Sequence, residues 1–166
     1  MLNINKGEGL LVVTNLALSF YTGVVMMLTW TIATAIFLEN YSPENIPFIF
    51  LTSSILVPTI GYLHVKLSER LSFLQMQYLT LAFLTLASGL FLIGFKLFDT
   101  GIIGAVLFVW LYIEASLCNL VFWSVAKRLL SIRQGKRLFG LVSTGQTVAI
   151  IAVSYTHLTL PTIYSV

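Results

Sequence analysis

The chain has 166 residues, 58% of them hydrophobic and only 9% charged, with a mean hydropathy of +0.96 and a formal net charge of +3. A soluble domain carries about 25% charged residues, so this composition excludes an ordinary water-soluble domain. The basic residues stand at the ends of apolar runs, where they report topology before they report a partner. The expected class is an all-α, multi-pass membrane protein whose first partner is the lipid bilayer, with no nucleic acid and no cofactor.

After the polar start MLNINKGE, no charge occurs from Gly9 to Leu38. At 1.5 Å per residue that run makes a helix about 45 Å long, longer than a hydrocarbon core of about 30 Å. Tilt, a kink near Gly23 or a protruding end is therefore expected. The stretch ENYSPENIP, from Glu39 to Pro47, breaks the helix with two prolines and carries only negative charge. A second span is predicted over about 48–65, with Pro58 and Gly61 inside it, breakers that a membrane helix tolerates where neighbours re-satisfy its backbone. The short turn KLSERLS makes the third span, about 73–95, its antiparallel neighbour. A fourth span covers about 102–126. The basic stretch KRLLSIRQGKR, Lys127 to Arg137, follows it, and a fifth, truncated span is read over 138–152. The first span is too long and too weakly basic at its start for a cleavable signal peptide, so it is read as retained.

Lys6, Lys66, Arg70, Lys127, Arg128, Arg133, Lys136 and Arg137 fall on one side of this topology and Lys96 on the other. The positive-inside rule places the N-terminus in the cytoplasm, with the acidic loop of Glu39 and Glu44 outside. Tyr62, Tyr78 and Trp123 lie near the cytoplasmic ends of their spans, where aromatic rings favour headgroups; packing against neighbouring helices explains them equally well.

The constellations of soluble catalysis are missing from the sequence: there is no HExxH, CxxC or GxxxxGK[ST], and His64 and Asp99 fall on opposite expected sides. No enzyme activity and no metal site are expected. Cys118 is alone and forms no internal disulfide. Glu114 stands apart, because it lies mid-span in VWLYIEASLCNLVFW. A carboxylate facing lipid there costs several kcal/mol, so it is expected to face the bundle interior or a wet cavity, as a substrate or coupling residue. The competing reading is a glutamate that holds helices together through Asn15, Thr31 or Thr34. Asn15 and Asn119 are further site candidates. With Ser19, Tyr21 and Thr22, Asn15 gives span one a polar side that either lines a pathway or makes interhelical hydrogen bonds. Arg133, Lys136 and Arg137, together with Lys66 and Arg70, are read as topology determinants. They are also candidates for a cytoplasmic gate or an anion-attracting mouth, with Glu69 as an acidic counterpart.

The segment NLVFWSVAKRLLSIRQGKRLFGLVSTGQTVAII resembles the fourth-to-fifth helix region of the ATP/ADP translocase-like nucleotide transporters of plastids and intracellular bacteria, relatives of the major facilitator fold. The features that carry the resemblance are Phe122, Trp123, Ala126, Arg133, the Lys136-Arg137 pair, Leu138, Phe139 and Gly145. The resemblance implies that this chain is the N-terminal part of a carrier of about twelve helices in two bundles. Such a carrier alternates access around a midplane site, with a nucleotide as possible substrate and the C-terminal half of the same chain as a partner. It also implies that Glu114 is the counterpart of an acidic residue in helix four of the family, in a bacterial inner membrane. One departure is plain: nucleotide-exchanging members carry charged residues, a lysine among them, in the first helix. Two alternatives therefore stand beside nucleotide exchange, a carrier of another solute and a non-transporting domain that anchors regulatory modules.

The last stretch, VSYTHLTLPTIYSV, resembles something else. In one reading frame it back-translates through the transposon mosaic end CTGTCTCTTATACACATCT and the adapter bases GACGCTGCCGACGA of tagmentation sequencing libraries. Residues 153–166 are accordingly expected to be non-native, with the last native residue at about Ile151. His157 and Tyr155 therefore drop out of the candidate residues, and a span of 138–152 is too short to cross a bilayer that takes about 20 residues.

Overall fold

A computed structural model describes residues 8–163, with side chains as far as Thr156. Among the described residues there is no strand. Five long helices follow one another: α1 (Gly9–Asn40), α2 (Ile46–Ser68, preceded by a 3-10 turn at Pro43–Asn45), α3 (Phe73–Leu97), α4 (Thr100–Leu129) and α5 (Ile132–Ile163). All five contain stretches long and apolar enough to cross a membrane, and large apolar side chains such as Leu86, Leu90 and Leu92 are exposed along α3. In water that arrangement would be prohibitive; in lipid it is the expected outer face. The chain is a multi-pass helical membrane protein.

Local chemistry sets the helix boundaries. Ser72 and Gln75 form a reciprocal capping box at the start of α3, the Ser72 hydroxyl accepting from the Gln75 N–H and the Gln75 side chain accepting from the Ser72 N–H. Ser131 and Gln134 repeat it at the start of α5, with bonds of 3.0 and 3.4 Å. Asp99 Oδ1 accepts from the N–H groups of Gly101 and Ile102 at the start of α4.

The second capping box revises the expected fifth span. The stretch from Lys127 to Arg137 is mostly helix: α4 runs to Leu129, and α5 starts at Ile132 because Ser131 satisfies its first turn. From Ile132 to Ala152 the helix is roughly 30 Å long, already the thickness of the apolar core. It also continues beyond the expected end at 152, to Ile163, through a stretch in which Val153 to Leu160 contains neither glycine nor proline. Lys6 lies outside the described residues.

The chain divides into two compact units. One contains the described residues up to Leu28 and from Phe122 onward. Here α1 and α5 run parallel, as the succession of contacts from Glu8 with Arg137 to Gly23 with Ala149 shows. Val12, Phe122, Leu130, Leu138 and Val142 form the core, with Trp123 edge-on to Phe139. Trp123 is thus a packing residue, whereas Tyr62 and Tyr78 are exposed.

The other unit spans Thr29–Val121. Its core is Ala33, Phe37, Ile49, Leu107, Phe108 and Leu111. Within it α1 and α4 are antiparallel: Gly101 lies against Asn40, Gly104 against Ile36, and Glu114 against Thr29.

Candidate functional site

The Thr29–Val121 unit holds the intramembrane carboxylate. Glu114 lies midway along α4, only 6% exposed, and is hydrogen-bonded to the side chain of Thr29 on α1. The two border a cavity of about 160 Å³ that Ser88 of α3 also reaches. Its walls are otherwise apolar, formed by residues such as Ile32, Phe91, Phe95, Leu107 and Trp110. The Phe91 and Trp110 ring centroids are 5.9 Å apart and those of Phe83 and Trp110 5.5 Å, so the aromatic wall is braced. Ser88 donates its proton to the Leu84 carbonyl, leaving its oxygen as an acceptor towards the cavity. No lysine or arginine lines this space.

This lining favours a ligand that gives hydrogen bonds or carries positive charge, because Glu114, Thr29 and Ser88 each bring an oxygen to it and it has no lysine or arginine. The sequence offers Asn15, Thr31 or Thr34 as partners for Glu114 on span one. The partner is Thr29; the Thr34 hydroxyl is buried without a hydrogen bond. Neither Thr29 nor Ser88 stood out in the sequence, since a hydroxyl in an apolar helix usually bonds its own backbone, and only the antiparallel packing of α1 and α4 sets Thr29 beside the glutamate. Asn119 lies one helical turn and more beyond Glu114 and donates to the Ala115 carbonyl at 2.9 Å. It does not line the Glu114 cavity.

The polar side of α1 belongs to the other unit, where it is an interhelical seam. Asn15 and Ser19 are fully buried and Thr22 nearly so, while Tyr21 is exposed. Ser19 Oγ accepts a hydrogen bond from the Gln146 N–H of α5 at 3.0 Å, and Asn15 donates to the Leu11 carbonyl. Its amide oxygen is buried without a partner. Such small and polar residues let membrane helices approach closely and bond across the contact.

The basic candidates separate into distinct settings. Arg137 forms an ion pair with Glu8, and Gln134 donates to the other oxygen of the same carboxylate at 3.1 Å. The acidic partner of Arg137 is thus Glu8 rather than the expected Glu69. A signal for Glu8 was present: an acid immediately before an apolar run stands at a helix N-terminus, where negative charge is favoured. Arg133 and Lys136 are exposed. Lys66, Glu69 and Arg70 are exposed around the end of α2, with Lys66 Nζ 5.7 Å above the Tyr62 ring centroid. Among the described residues no group of His, Cys, Asp and Glu is arranged to hold a metal ion.

Comparison with family models, curated proteins and solved structures returns no match.

Proposed function

We propose that this chain is the N-terminal part of a membrane transporter that works by alternating access, of the major facilitator type and similar to the ATP/ADP translocase-like nucleotide carriers. It is not an enzyme. The observation that carries this reading is the Glu114 cavity: a buried carboxylate at mid-span, bordering a space that hydroxyl residues of two other helices also line, is the arrangement a solute or coupling-ion site requires. Glu114 is the substrate or coupling residue. The pairing of Arg137 with Glu8 across the starts of α1 and α5 is a gate contact on the cytoplasmic face, and Arg133 and Lys136 draw anions to that mouth. In this reading the N-terminus is cytoplasmic, the membrane is a bacterial inner membrane, and the C-terminal half of the carrier completes the site. Residues 153–166 are adapter-derived.

A specific observation favours a second reading, a carrier of the same type for another solute. Oxygens and aromatic rings line the cavity without a cation, and α1 has no charge between Gly9 and Leu38, so nothing described in this unit's cavity compensates a phosphate. The test is uptake by the full-length carrier in proteoliposomes, with labelled ATP set against a panel of cationic and neutral metabolites. Uptake of one of these that Glu114→Gln abolishes or uncouples supports transport at this site. Uptake unaffected by Glu114→Gln removes the residue from the mechanism.

A further inference from the structure

Two adjoining cavities in the Thr29–Val121 unit lie apart from the Glu114 site. The larger, about 340 Å³, opens between α2 and α3 and is walled by apolar side chains such as Ile60, Leu63, Leu67, Leu79 and Phe83. Its polar feature is a single internal pair: Thr80 gives its proton to the Met76 carbonyl, so its oxygen is the acceptor at 3.2 Å from His64 Nε2, which therefore donates. The imidazole is held against the wall by that bond. The smaller cavity, about 290 Å³, is lined by Leu63, Lys66, Leu67 and Arg70. Leu63 and Leu67 line both, so the two adjoin along α2 in a groove that is cationic at one end and apolar at the other.

The arrangement follows from a one-turn repeat on α2. Residues 63, 66 and 67 share a face of α2 and Arg70 lies in the turn just beyond its end at Ser68, so the two cations stand at the polar end of an apolar stripe, where the chain leaves the membrane for the capped start of α3 at Ser72. Tyr62 is exposed beside Lys66, an aromatic ring at headgroup level. Glu69 is exposed in the same turn but lines neither cavity.

We infer that this groove binds an anionic phospholipid, with its phosphate between Lys66 and Arg70 and an acyl chain lying along Leu63 and Leu67 into the apolar cavity between α2 and α3. Charge complementarity selects the headgroup and the dry cavity selects the chain; a free phosphate would use the first and leave the second empty. A basic pocket at a helix end next to lipid is the setting in which anionic headgroups are recognised. The inference is independent of what the Glu114 cavity carries.

The test uses the intact chain purified into nanodiscs of neutral phosphatidylcholine doped with a photoactivatable phosphatidylglycerol, crosslinked, and mapped by peptide mass spectrometry. Crosslinks should concentrate on α2 and α3 around Leu67 and Leu79. The double variant Lys66→Gln with Arg70→Gln, both exposed residues whose loss leaves the fold intact, should lower labelling about thirtyfold. Leu79→Trp, which fills the apolar cavity, should lower it with both cations present. Lys96→Gln should leave it unchanged. Equal labelling by a photoactivatable phosphatidylcholine, or undiminished labelling of the double variant, would overturn the proposal. So would competition by glycerol phosphate at concentrations where the neutral lipid does not compete, because that result assigns the cations to a free phosphate.

Discussion

Gly145 of α5 lies so close to the Leu16 carbonyl of α1 that a Cβ added to it would stand 2.6 Å away. Four residues on, Ala149 meets Gly23, where a Cβ would come within 2.8 Å of the Ala149 Cβ. The pairs Ser19/Gly23 and Gly145/Ala149 are small residues one turn apart on facing helices, a pattern that allows backbones to touch in a membrane, where packing rather than water drives association.

Gly145→Ala is therefore expected to destabilise this unit by about 1–3 kcal/mol, the typical cost of overpacking, and Gly23→Ala by a similar amount. Gly140, also on α5, has nothing within 4 Å of its would-be Cβ; there the alanine should be neutral or gain up to about 1 kcal/mol of helix propensity. Unfolding in mixed micelles, followed by circular dichroism, measures all three. Equal effects at Gly140 and Gly145 would mean that the seam does not exist.

The Glu8 and Arg137 pair is partly buried, with side chains 12% and 24% exposed. Removing one partner leaves the other charge half-buried and is expected to cost more than removing both. A double-mutant cycle of Glu8→Gln and Arg137→Gln should give a coupling energy of about 0.5–3 kcal/mol, shrinking as salt rises because neither side chain is fully desolvated. Additive single effects would make the contact incidental, and with it the gate role.

Span number, order and approximate limits were legible because the apolar run is a one-dimensional signal: the start of α1 at Gly9 and of α3 at Phe73 are where the charges end. The start of α5 was also legible in principle. SIRQ at Ser131–Gln134 is the same S-x-x-Q pattern as SFLQ at Ser72–Gln75, but five basic residues around it drew attention to charge instead of capping. Glu114 declared itself by being a carboxylate mid-span. Its surroundings did not, because whether Thr29, Thr31 or Thr34 faces α4 depends on the rotation of α1. With apolar residues on every side of that helix, sequence periodicity carries almost no information about rotation.

Thr29→Val removes the hydroxyl that meets Glu114 while keeping the side-chain shape. It is expected to cost about 0.5–1.5 kcal/mol, the net value of one hydrogen bond, and to raise the KM for solute in the full-length carrier more than it lowers kcat. Calorimetry or denaturant unfolding gives the first number and proteoliposome uptake the second. A large stability loss with unaltered transport would make the pair helix glue.

The resemblance of residues 153–166 to adapter sequence is open to a direct test at the level of the gene. The contacts of α5 with α1 run from Gln134 and Arg137 on Glu8, through Gly145 on Leu16 and Gln146 on Ser19, to Ala149 on Gly23. These contacts precede Ile151, the capping box at Ser131 lies at the other end of the helix, and Val153 just beyond Ile151 is itself buried. Amplification from genomic DNA across the codon of Ile151 should replace YTHLTLPT with a different continuation. A genomic product encoding YTHLTLPT would make these residues a true part of α5.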